Sequence, residues 1–362
     1  MLRRRLRTVQ VTLNIKNSEL SEIQFLEREL NFITNTIKQD SDIKTTNGLC
    51  FIACTNPKLW NAILSNKSFQ VVFILLGNET YDIPTFQYFN AFDNVKFLFV
   101  YNAPRSNSLI LLSSHVLFLI ENPKYFFTRA YWRLWKNAFD FALKTRRCKI
   151  QKPFMRIPLG YTDRFVRELQ QLKIMDASSK KSLISQALSP SSKSIDFEIS
   201  FFGQLGNWFR RCLVNQFSVV HDMFVFTYKD WGHAPNSYKL LETPSYAGIL
   251  FKSRFVLCPP GNITNETFRY MESLILGCIP VTPDATIQDH HSGNYFSRDL
   301  PRFWRYCTHN MLFRYLRKRT LKQLDAIHFS EMSKIQSDLK SIRKKIEDLA
   351  TESQTPSHSV AK

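Results

Sequence analysis

No stretch of the 362-residue chain approaches the ~20 consecutive apolar residues that a helix needs to cross a bilayer. The longest apolar runs, at residues 71–76 and 109–120, are too short, and the second is broken by Ser113, Ser114 and His115. The basic start, Met1-Leu2-Arg3-Arg4-Arg5-Leu6-Arg7, has no continuous apolar stretch behind it and does not read as a secretory signal. The seven cysteines are odd in number and contain no C-x-x-C pair, which argues against a disulfide framework or a zinc site. Reduced thiols in a cytoplasmic protein are the expectation, with Cys258 and Cys278 as small core residues. In that setting the glycosylation sequons at Asn78, Asn262 and Asn265 read as coincidental. Acidic residues are also scarce, 30 against 49 Lys and Arg, and the resulting charge of +19 favours acidic partners. Nucleic acid, an anionic membrane face and a nucleotide diphosphate all meet that condition.

What is present is ordinary for a globular chain of two domains: 44% hydrophobic residues, 22% charged, 31 Phe and six Trp. Residues 18–40 carry helical periodicity, with Leu20, Ile23, Phe25, Leu26, Leu30 and Ile33 near one face. Apolar runs of strand length follow at 49–53, 70–76, 95–100, 116–120 and 154–157, with an aromatic helix at 126–143 before the last. Alternation of this kind predicts a parallel sheet covered on both faces. The Ser- and Lys-rich stretch 176–194 reads as a linker with a small apolar island at Leu183, Ile184 and Leu188. After it the alternation restarts: strand 197–202, helix 208–220, strand 223–228, helix 236–248, strand 254–258, helix 266–276 and strand 279–281. The division expected is a domain at 1–175, a linker, a second domain at 195–310, a basic helical tail at 311–350 and a disordered end at 351–362.

The most informative stretch is residues 253–284, which contains Ser-Arg-Phe-Val-Leu-Cys-Pro-Pro-Gly-Asn-Ile-Thr-Asn-Glu-Thr-Phe-Arg-Tyr-Met-Glu-Ser-Leu-Ile-Leu-Gly-Cys-Ile-Pro-Val. It reads as buried strand, Pro-Pro-Gly turn, polar loop, helix and strand. In doubly wound sheets ligands bind at the carboxyl ends of strands, where such loops lie. Gly261 lets backbone approach a ligand, Thr264, Asn265 or Thr267 can cap the helix, and the free N–H groups of its first turn suit a diphosphate. Arg269 can contact phosphate oxygens through two nitrogens. Glu272, three residues on, can accept both hydroxyls of a ribose. The plainer alternative is that Arg269 and Glu272 form a surface pair worth a few tenths of a kcal/mol.

This segment resembles the C-terminal signature of exostosin-like (family 47) glycosyltransferases and the related ribitol-xylosyltransferase group. Weaker echoes stand at Ile157-Pro158-Leu159-Gly160-Tyr161, at Ile199-Ser200-Phe201-Phe202-Gly203 with Arg210 and Arg211, and at residues 235–241; the likeness covers about 70–300. It implies a GT-B fold, two Rossmann-like domains facing a cleft, and transfer of a sugar from a nucleotide-diphosphate sugar to a glycan or lipid-linked acceptor. No cofactor and no obligatory metal are implied. By the resemblance Arg269 neutralises the leaving diphosphate and Glu272 holds the ribose. Gly203 and Arg210 border the phosphate pocket, and Gly261, Asn262, Thr264, Asn265, Glu266 and Thr267 complete it. Asp40-Ser41-Asp42, the one D-x-D, lies in a polar stretch and reads as chance. The Asp-Glu pair often seen in the N-terminal domain of the family is replaced by Gly77-Asn78-Glu79. A base near the cleft is expected for inverting transfer; Glu79 is the first candidate, then Asp163 and His221.

Competing readings are a nucleic-acid stripe on the basic tail, which no helix-turn-helix, zinc or RNA-binding signature supports, and peripheral contact of that tail with an anionic membrane. A fucosyltransferase-like enzyme and a non-catalytic GT-B scaffold are the nearest alternatives in function.

Overall fold

The computed structural model describes residues 11–16, 20–45, 48–75, 88–100, 151–203, 208–227, 245–259, 268–282 and 308–352, with Leu205 and scattered positions between 119 and 136. Ten strands form two all-parallel sheets among these residues. The first contains β1 (Val11–Lys16), β2 (Phe32–Ile37), β3 (Leu49–Cys54), β4 (Gln70–Leu75), β5 (Val95–Val100) and β6 (Phe154–Arg156), in spatial order β2-β1-β3-β4-β5-β6. The second contains β7 (Phe197–Gly203), β8 (Met223–Thr227), β9 (Ser253–Leu257) and β10 (Ile279–Val281), in order β10-β9-β7-β8. Read from β8, the second sheet repeats the start of the first: each begins in its middle, steps one way, then crosses back. Both are therefore Rossmann-like α/β units, with a switch point between β1 and β3 in one and between β7 and β9 in the other.

The strands are buried on both faces, as crossover helices require. In β3, Leu49, Phe51 and Ala53 enter one core, while Cys50, Ile52 and Cys54 enter another around Trp60 and Phe73. In the second sheet Phe255 and Leu257 face Phe217 and Phe313, whereas Val256 and Cys258 turn the other way. That other core is shared: it holds residues of both sheets, of α1 (Ile23–Leu30) and α3 (Asp163–Leu172), and of α5 (Tyr246–Phe251) and α6 (Phe268–Ile275). Further helices among the described residues are α2 (Asn61–Ser65), α4 (Trp208–Val220), α7 (His309–Arg317) and α8 (Leu321–Glu352).

Several expectations change. The periodic stretch 18–40 is not one helix: Asn31 adopts φ 63°, ends α1, and starts the edge strand β2, whose alternating Phe32-Ile33-Thr34-Asn35-Thr36-Ile37 pairs with β1. The strand expected at 116–120 is not found where it can be seen, since Leu119 and Ile120 have helical backbone. Residues 101–118, most of the aromatic helix at 126–143, and most of the helix at 236–248 lie outside the described residues. The linker is a packed strap, with Leu183, Ile184 and Pro190 buried and Leu188 N–H bonded to the Ile275 carbonyl. The basic tail is not an appendage either. Leu312, Phe313 and Leu316 of α7 complete the core of the second sheet. Helix α8 carries a buried stripe from Leu324 to Ala350, while Arg314, Arg317, Lys318 and Lys322 stay on the exposed side.

Candidate functional site

The carboxyl ends of β7 and β9 bring Gly203 and Arg269 together. Arg269 is the second residue of α6, and the crossover places that helix start over the end of β7. Its Nε donates to the Phe202 carbonyl at 2.6 Å, and its guanidinium lies over the Phe201 ring with Cζ 5.2 Å from the centroid. A Cβ on residue 203 would overlap Nη2 and come within 2.9 Å of Cζ and 3.0 Å of Nε, so the guanidinium keeps this place only above a glycine. The side chain is 8% exposed, and Nη1 has no hydrogen-bond partner among the described residues. No carboxylate forms an ion pair with it there. A buried cation in that position is costly unless an anion arrives. Arg210, in the first turn of α4 beyond β7, is also buried, at 6% exposure.

Glu272 lies one turn beyond Arg269 and is equally buried, which removes the surface-pair reading. Its Oε1 accepts from Thr162 N at 3.0 Å and Thr162 Oγ1 at 2.8 Å, and its Oε2 accepts from the Tyr246 hydroxyl at 2.5 Å. Burial raises its pKa, opposed by those bonds and by the Arg269 charge. Tyr246 is raised well above its usual range by burial and by the Glu272 charge. Thr162 caps α3, accepting from Phe165 N at 3.2 Å. The carboxylate thus ties the second sheet's helix to the loop after β6, a different task from the ribose contact implied by the resemblance. Gly277 ends the helix region with φ 68°, where a Cβ would meet the Ser189 carbonyl at 2.7 Å.

Of the other site residues expected, Gly261, Asn262, Thr264, Asn265, Glu266 and Thr267 lie outside the described residues, as does Glu79. Asp163 accepts from Gln24 N at 2.7 Å and so caps α1; burial raises its pKa to about 6. His221 joins Asn310 Oδ1 at 3.1 Å and packs against Phe217 and Phe313. Asp42 accepts from Gln39 N at 3.1 Å. Cys258 is a buried thiol pushed up to about 12 by desolvation, inert as a nucleophile.

Three further polar residues stand out that pattern reading did not find. Glu22, at the start of α1, is fully buried, and neither oxygen has a well-formed hydrogen bond among the described residues. Desolvation raises it to about 7, Ser21 lowering it in part and the Asp163 charge adding to the rise. Glu29 on the same helix is the contrast: it accepts from Tyr161, Ser182, Leu183 and Ile184. The other two are His309 and Thr282, both buried, whose Nε2 and Oγ1 lack partners among the described residues. Nothing local in the sequence marks them; they become visible only when the strand ends are assembled.

No protein-family model, no curated protein and no solved structure matches the chain. No described helix is long and apolar enough to cross a membrane.

Proposed function

We propose that the chain is a metal-independent GT-B glycosyltransferase that moves a sugar from a nucleotide-diphosphate sugar to a glycan or lipid-linked acceptor. The observation carrying this reading is the Arg269 guanidinium, buried on Gly203 at the β7–β9 switch point with Nη1 unpartnered among the described residues. A diphosphate supplies a contacting anion, which the described residues do not, and the N-terminal turn of α6 adds a second positive end. Charge developing on the leaving diphosphate is then met by a fixed cation, which is how such a step is accelerated. By the resemblance, Arg210 and residues 261–267 contribute to the same donor site. The likeness of residues 237–284 to the exostosin-like signature points the same way.

For the acceptor, Glu79 stays the first candidate base, and Glu22 is proposed as a further one. The Ser21 carbonyl accepts from Asp163 N at 2.7 Å, and the neighbouring Thr162 bonds Glu272, so Glu22 belongs to the loops that meet the donor unit. The acceptor hydroxyl gives its proton to the base carboxylate and its oxygen bonds the anomeric carbon. The bond to the diphosphate breaks, and its electron pair leaves with the phosphate oxygen. A base with a pKa near the working pH is suited to that transfer.

A calorimetric titration with UDP, GDP and their sugar conjugates tests the donor site. Wild-type protein is expected to bind one series and Arg269→Ala to lose at least about tenfold in affinity, with unchanged thermal unfolding in the absence of ligand. A flat response of the wild type to both series sinks the reading. The engagement of Glu272 by Thr162 and Tyr246 favours one alternative, a GT-B scaffold without turnover. Unchanged biological activity of Arg269→Ala would support it.

A further inference from the structure

The second sheet carries unsatisfied polar groups on both sides of β9, not only at Arg269. Beside β9, Cys258 N donates to the Val281 carbonyl at 3.1 Å, which places Thr282 next to Cys258 just past the ends of β9 and β10. Thr282 is 1% exposed and its hydroxyl has no partner among the described residues. His309, the first residue of α7, reaches the same point: it donates a ring N–H to the Cys258 carbonyl, and its Nε2 is left unpartnered among the described residues. Thr308 holds the ring's position by capping α7 through Met311 N at 3.1 Å.

Chemistry separates this corner from the Arg269 corner. The Cys258 carbonyl takes the ring's N–H, and burial lowers the His309 pKa to about 3, so the imidazole is neutral. Its Nε2 then offers only a lone pair. A lone pair repels phosphate oxygens and attracts an N–H or O–H donor. Thr282 can give or take a hydrogen bond. Two strand spacings separate β7 from β10, about 10 Å in all. That is the scale on which a nucleotide's phosphates are separated from the far edge of its nucleoside.

We propose that His309 and Thr282 form the neutral half of the nucleotide site, with His309 Nε2 accepting a hydrogen bond from the nucleoside whose diphosphate lies on Arg269. This rests on the donor-site reading above. The donor is either a ring N–H of the base, the uracil N3–H imide or the guanine N1–H lactam, or a ribose hydroxyl.

Titrations of wild-type protein with UDP and GDP, their base-methylated forms (N3-methyl-UDP and N1-methyl-GDP) and their 2′-deoxy forms separate these sources without any variant. Loss of at least about tenfold on methylation assigns the base, and a like loss on removing the 2′-hydroxyl assigns the ribose. His309→Phe and Thr282→Val are expected to weaken the nucleoside diphosphate similarly while leaving the affinity for inorganic pyrophosphate unchanged. Pyrophosphate binding is expected to disappear only in Arg269→Ala. Full nucleotide affinity for both sets of analogues and for His309→Phe, with pyrophosphate still bound through Arg269, overturns this inference alone. No binding of any nucleotide or of pyrophosphate by the wild type overturns the donor-site reading and this inference with it.

Discussion

Gly203 and Glu22 show how single residues here are explained by what surrounds them. Gly203 has no positive φ; it is glycine because the Arg269 guanidinium occupies the space of a side chain. Gly203→Ala should therefore displace Arg269 without disturbing β7, whose other residues keep their pairing. Calorimetry is expected to show the nucleotide loss of Arg269→Ala reproduced by Gly203→Ala, in a protein that unfolds within a few degrees of wild type; retained binding would mean that the guanidinium does not hold the ligand from that position. Glu22 makes an opposite prediction, about stability. Its folded-state pKa of about 7 stands above the usual 4.5, so the folded state prefers the protonated form. Stability associated with it is fully present below pH 4.5 and is lost as pH rises through 7. The cost at higher pH is on the order of 3 kcal/mol. Glu22→Gln is expected to be more stable than wild type at pH 8 by up to that amount, and equal to it at pH 4. Denaturant unfolding at the two pH values measures this, and equal stability of the two proteins at pH 8 would show that Glu22 is not held desolvated. Glu29, whose carboxylate is met by four donors, makes no such prediction.

At the level of elements, legibility followed burial. Strands β3, β4, β5 and β10 were readable because parallel strands buried on both faces are short, nearly unbroken apolar runs, and β7 and β9 because each ends in one, Phe201-Phe202 and Phe255-Val256-Leu257. Strands β1 and β2 were not, because polar residues interrupt them: Asn14 in β1 is buried and bonds the Phe51 carbonyl at 3.1 Å, which no pattern rule anticipates. Helix α1 was overextended through β2 because Leu30 and Ile33 happen to be three apart. The left-handed turn at Asn31 that separates them has no apolar signal. For the site, the pairing of Gly203 with Arg269 was legible through a resemblance spread over two distant segments. The role of Glu272 was not, because its partners Thr162 and Tyr246 lie 110 and 26 residues away and form no motif. His309 and Thr282 were illegible for the same reason, since their common neighbour is a backbone carbonyl and a strand end.

Across the whole molecule, α8 links the two units. At 1.5 Å per residue its 32 residues extend about 48 Å. Near its start, Leu324 lies in the core of the second sheet, and near its end Leu349 and Ala350 lie in the core shared with the first. Between these, His328 Nε2 meets the Leu274 carbonyl at 2.6 Å, the Tyr270 hydroxyl donates to Glu331, and Arg343 donates to the Glu29 carbonyl. Lys96 of β5 pairs with Glu352 at 3.3 Å near the helix end. A helix anchored at both ends makes the stability of either unit depend on the other. Leu349→Ala removes a side chain only 2% exposed, far along α8 from the second sheet, and should cost roughly 3 kcal/mol. Amide hydrogen exchange is expected to show that cost in full at β9 as well as at β4, since both open only in the common unfolding event. Loss of protection at β4 with β9 unchanged would show that the units unfold separately, with α8 a passive bridge.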